Sequence, residues 1–97
     1  MKSAIFLPDA SRELEEAILF YEQRSGGLGK QFEEEIESAV KNIENDPALW
    51  PFFKGITRRC LLKRFPFAIL YREETTKIII VAVAHLRRKP NYWKDRK

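Results

Sequence analysis

The sequence predicts an α+β fold of two layers, ordered β-α-α-β-β-β, with a helical hairpin packed on a mainly antiparallel sheet. Three observations carry that prediction. Apolar residues between Ala10 and Ile43 recur twice at helical spacing. From Ile56 onward the spacing falls to two. The most apolar run, Ile78 to Ala84, is bounded by polar and charged residues and is far too short to cross a membrane.

Lys2 to Leu7 is short, apolar and rich in β-favouring types, so it reads as a first strand, whose place in the sheet the sequence leaves open. Pro8-Asp9 ends it, and the Asp9 carboxylate is a candidate cap for the helix that follows. Ala10, Leu14, Ala17, Ile18 and Tyr21 then mark one helical face, with Glu13, Glu15, Glu16 and Glu22 assigned off it. Ser25-Gly26-Gly27 stops this helix near Arg24. Phe32, Ile36, Ala39, Val40 and Ile43 repeat the same spacing in a second helix, which Asn45-Asp46-Pro47 ends. The short Gly-rich link makes the two antiparallel neighbours.

Ala48 to Gly55 is a loop carrying Trp50, Phe52 and Phe53. Rings there either plug the end of a core or form an exposed docking patch. Ile56 to Lys63 alternates as a strand, Pro66 breaks it, and Phe67 to Arg72 is the next. Glu73-Glu74-Thr75-Thr76 is a hairpin loop. Lys77 to Ala84 is then the central strand, buried on much of both faces.

The chain has 97 residues, enough for one domain spanning 1–97 with a single core. Its lone cysteine, Cys60, excludes an internal disulfide and a cysteine-based zinc site. No secretory leader or membrane span is evident, so the expected compartment is the cytoplasm. The formal charge of +4 hides an asymmetry. Residues 1–50 carry five basic and eleven acidic residues, and residues 51–97 carry thirteen and three. The basic half is a candidate face for nucleic acid or an acidic protein.

Within that half, Arg58, Arg59, Arg64, Arg72, Arg87 and Arg88 stand out, because guanidinium forks bind phosphate and carboxylate bidentately. Alternation sends Arg58 and Arg59 to opposite faces of their strand. His85, the only histidine, ends the last strand and serves either in acid/base work or as a hydrogen-bonded structural residue. Tyr92 and Trp93 either stack on bases or fold back onto the sheet. There is no Gly-rich phosphate loop, no spaced metal-ligand set and no nucleophile motif, so no cofactor or metal is called for. A catalytic version would depend on Arg, Tyr and His acting on a phosphate, as in RNA scission.

Pro8-Asp9-Ala10 with Tyr21-Glu22, Gly27-Leu28-Gly29-Lys30-Gln31-Phe32, Arg64-Phe65-Pro66-Phe67 with Tyr71, and Ala82-Val83-Ala84-His85 followed by Pro90-Asn91-Tyr92-Trp93 together resemble the RelE/ParE superfamily of toxins. That resemblance spans nearly the whole chain. It implies the toxin of a type II toxin–antitoxin pair, neutralised by a small antitoxin that wraps it with an acidic segment. Arg58, Arg64, Arg72, Arg88 and Trp93 are the candidate partner-binding residues.

For the target, the resemblance offers two branches. RelE-like members cut mRNA on the ribosome, and here Arg59, Arg87 and Tyr92, with His85, would carry that role. ParE-like members inhibit DNA gyrase without a nuclease site. Leu61 and Ala68 stand where the nuclease branch places a lysine and an arginine, which favours the ParE-like branch. A third reading is a degenerate, non-toxic toxin fold kept as a binding module.

Overall fold

The computed structural model describes all residues, 1–97. Its elements are β1 (Ser3–Phe6), α1 (Pro8–Arg24), α2 (Leu28–Asn45), β2 (Phe52–Lys54), β3 (Thr57–Leu61), β4 (Phe67–Glu73) and β5 (Lys77–His85). The strands form one sheet in the order β1-β5-β4-β3-β2. β1 runs parallel to β5, and every other pairing is antiparallel. The expected α+β order therefore holds with one strand added. β5 is an interior strand as expected, but β4 occupies the middle of the sheet.

The added strand is β2, drawn from what reads as a ring-rich loop. Gly55, at φ 52, takes the left-handed turn that folds Phe52–Lys54 back along β3. The rings divide between the two readings. Trp50 packs against the core, while Phe52 and Phe53 are 58% and 38% exposed.

Asp9 is not the cap of α1. Pro8 occupies the first helical position, where its missing N–H costs nothing, and the cap position falls to Leu7. Asp9 lies one residue inside the helix and pairs with Arg12 at 2.8 Å. The cap that matters joins the two helices. Glu22, in the last turn of α1, accepts the N–H of Gly27 at 2.9 Å and of Gly29 at 3.0 Å at the start of α2. Gly29 is also where the helices approach most tightly, since a Cβ there would lie 2.5 Å from the Ile18 carbonyl oxygen.

Between helices and sheet lies the main core, including Phe32, Ile36, Ile43, Ile69, Ile78 and Ile80, all essentially inaccessible. Four rings meet at one end of it: Phe32 is 5.3 Å from Tyr21, 5.0 Å from Phe65 and 4.9 Å from Phe67. The buried Tyr71 hydroxyl donates to the Pro47 carbonyl at 2.6 Å. That bond ties the middle strand to the loop after α2 and leaves no polar atom stranded.

The register of β4 on β5 shifts between Leu70↔Ala82 and Tyr71↔Ile80, so Val81 has no partner of its own. This bulge turns both Val81 and Ala82 toward the face away from the helices. It also reverses alternation along the rest of β5, and His85 ends on the helix side, edge-on to Phe67 at 5.0 Å.

Candidate partner-binding face

The side of the sheet opposite the helices has a second apolar cluster: Ala68, Leu70, Ile79, Val81, Ala82 and Ala84. The small residues leave a shallow bed, and Trp93 lies in it at 7% exposure. Of the two readings for the tail aromatics, folding back onto the sheet is therefore the observed one. Beyond His85 the chain has turns only, and Asn91 adopts φ 67.

Glu13 holds this tail from beneath. It is 8% exposed, the only acidic residue in the chain that is buried. Its carboxylate takes a bidentate pair from Arg96, with Nη1 at 2.8 Å and Nη2 at 3.0 Å. It also accepts the Tyr92 hydroxyl at 2.7 Å and the Val83 backbone N–H at 3.0 Å. Arg96 in turn donates to the Val81 carbonyl at 3.1 Å.

The geometry of β5 explains why these bonds exist. β1 pairs only as far as Ile80, then the chain leaves for α1. The edge of β5 from Val81 onward would otherwise expose unpaired backbone groups. The Glu13–Arg96 pair stands in for the missing strand.

The assignment of Glu13 to a solvated helix face is thus overturned. The signal was present in the spacing: Glu13 falls three after Ala10 and four before Ala17, inside the apolar stripe. Arg96 carries no comparable signal, nor does Glu35 on α2, whose carboxylate receives the N–H groups of Lys63 and Arg64 at the surface.

The predicted site residues divide by position. Arg59 lies on the open face, opposite Leu70 in register, with its guanidinium 4.3 Å from the Phe53 ring centroid. With Phe53, Ala68, Arg88, Tyr92 and Trp93 it borders a cleft of about 70 Å³. Arg88 stacks over Tyr92 at 3.9 Å and sits 3.9 Å from Glu13. Arg72 is on the same face and pairs with Glu74 at 3.1 Å.

Arg58 points the other way. It covers Phe52 at 3.8 Å and donates to the Trp50 carbonyl at 2.6 Å, so it anchors the loop before β2. Arg64 reaches Gln31 on α2, well away from the cleft. Arg87 is exposed, and its backbone N–H donates to His85 Nδ1 at 3.0 Å. Of the expected grouping, Arg59, His85 and Tyr92 border that one cleft and Arg87 does not; the His85 ring also packs edge-on against Phe67, and the Tyr92 hydroxyl is donated to Glu13.

Burial and the bond to Glu13 push the Tyr92 hydroxyl well above the ordinary tyrosine range. The same bond holds Arg96 even more firmly charged. Leu61 and Ala68 face each other across β3 and β4, placing two non-ionisable side chains beside Arg59. The face is a cationic, ring-bearing surface suited to gripping an anionic or acidic partner.

Among solved structures, the fold is similar to one titled "Chromosomal ParDE TA system from P. aeruginosa", with 18% identity and a TM-score of 0.66. That similarity covers 88% of this chain and 96% of the other. Comparison with curated proteins gave no match. No helix is long and apolar enough to cross a membrane. The family model described as the ParE toxin of the type II toxin–antitoxin system parDE matches residues 4–90. With nearly the whole chain matched, the protein belongs to the ParE toxin family of type II toxin–antitoxin systems.

Proposed function

We propose that this toxin acts by binding rather than by cutting RNA, that its target is DNA gyrase, and that a cognate antitoxin neutralises it. The observation that carries the choice is the state of Tyr92. Its hydroxyl is already donated to a buried carboxylate, and two neighbouring positions that a nuclease would fill with cations are Leu61 and Ala68. Without them, transition-state charge on a scissile phosphate would meet Arg59 alone from the sheet.

The antitoxin reading is supported by the family and by charge. Residues 51–97 carry ten more basic than acidic residues (thirteen against three), which suits an acidic wrapping segment. Purified toxin added to a supercoiling assay should inhibit gyrase at micromolar concentration. The acidic protein encoded beside it should restore supercoiling. Unimpaired gyrase, together with new 5′ ends on translated messages that vanish in Arg87→Ala with Tyr92→Phe, would replace this reading with ribosome-dependent mRNA cleavage.

A further inference from the structure

We propose that residues 92–96 form a strap closed over the open face of the sheet, and that Glu13 is the latch that positions it. The inference does not depend on which target the toxin has.

Four observations lead to it. First, the backbone of the chain after Arg88 makes no hydrogen bond to the body. Leu86 N–H reaches the Pro66 carbonyl and the Arg87 and Arg88 N–H groups reach His85, but Tyr92, Lys94 and Arg96 bond only to Lys89, Asn91 and Trp93 respectively. The strap is therefore attached by side chains alone.

Second, those attachments converge. Tyr92 and Arg96 both end on Glu13, and Arg96 adds Asp9 at 3.6 Å. Third, the strap is placed against its own charge. Arg72, Lys94, Arg96 and Lys97 line one cleft on this face; Glu74 pairs with Arg72, and Glu13 and Asp9 pair with Arg96. Fourth, a non-glycine residue in the left-handed region, Asn91, stands just before the attached segment, at the point where a hinge would turn.

With the strap lifted, the apolar bed under Trp93 is uncovered, with Arg59 and Arg72 at its rim. With it closed, that bed is filled and the β5 edge is sealed. Glu13 thus sets the balance between a covered and an uncovered face.

Amide exchange on the full-length chain tests this. Two variants remove the latch from opposite sides: Glu13→Gln on α1, and Tyr92→Phe with Arg96→Ala on the strap. Each removes a charge-assisted contact, so exchange at Tyr92, Lys94 and Arg96 should accelerate roughly tenfold or more. Trypsin should cut after Lys94 correspondingly faster. Amides of α1, β4 and β5 up to Ile80 should keep their protection. The inference fails if strap exchange changes by less than about twofold in the strap-side variant. It fails equally if β4 and the paired part of β5 lose protection by the same factor as the strap, since the tail would then be one cooperative unit with the core. Should Glu13→Gln not fold, the strap-side variant, which substitutes no residue of the helix, decides, with Tyr92→Phe alone as the milder form that keeps the Glu13–Arg96 pair.

Discussion

Replacing Gly29 with alanine should destabilise this protein, although the same change in most helices does the reverse. Removing a helical glycine ordinarily gains about 1 kcal/mol. Here the new Cβ would lie 2.5 Å from the Ile18 carbonyl oxygen, 2.9 Å from Glu22 Cβ and 3.0 Å from Glu22 Oε1. Reaching an ordinary contact distance requires a retreat of roughly 0.9 Å in a close-packed helix pair. The Ile18 oxygen belongs to the backbone of α1, so it moves only if the helices separate. Overpacking of that kind costs about 1–3 kcal/mol. Glu22 can swing away, but only by giving up the N–H groups of Gly27 and Gly29, a capping loss of about 0.5–2 kcal/mol. The net expectation is a loss of roughly 1–3 kcal/mol. Urea unfolding should show a lower midpoint at unchanged slope, and Tm should fall by about 4–8 °C per kcal/mol lost. Gly26→Ala is the control, because its Cβ would meet nothing nearer than Glu22 Oε2 at 4.0 Å. A Gly29→Ala protein as stable as the wild type would refute the argument that this glycine sets the spacing of the helices.

Two further outcomes follow from the sheet. Burial raises the Cys60 thiol from 9.0 to about 11 and the Tyr71 hydroxyl from 10.0 to about 12. Both groups keep their protons longer in the folded state than in the unfolded chain, so their contribution is complete below pH 9 and lost as pH rises toward 12. Denaturation midpoints should be flat from neutrality to about pH 9 and then fall; a rise over that window would contradict the burial of both groups. Ala68→Arg restores a cation that the nuclease branch carries, but Ala68 is buried in the bed that Trp93 fills. The variant should expose Trp93, seen as a red shift of its emission, without creating mRNA cleavage. Cleavage by Ala68→Arg would mean that Tyr92 is free to act after all.

Much of the fold can be read from the residues. Phe32, Ile36 and Ile43 announce α2 by spacing, and all are buried where that spacing puts them. The alternation after Ile56 announces the antiparallel strands. Other features leave no such trace. A strand of three residues is too short to show a period, so β2 emerges only from the turn at Gly55. The bulge at Val81 is silent because every residue from Ile78 to Ala84 is apolar, and no alternation exists for it to interrupt. The face on which His85 ends was therefore not readable. Glu13 was legible by position and obscured by charge: its neighbours Glu15 and Glu16 are exposed, and a run of carboxylates reads as one solvated surface. What the chain could not announce was a partner from the other end, Arg96, that makes burial of that carboxylate tolerable.

The parallel pairing of β1 with β5 also bears on when the toxin becomes one. Ser3–Phe6, among the first residues synthesised, finds its partners at Lys77–Ile80, near the end of the chain. The helices can form early from local contacts, but this closure spans almost the whole polypeptide and comes late. Until β5 is available, β4 is paired on one side only, by β3, Glu13 has neither Val83 nor Arg96 to meet, and the open face is incomplete. Any binding that uses the open face must therefore wait until β5 has been made and β1 has closed onto it.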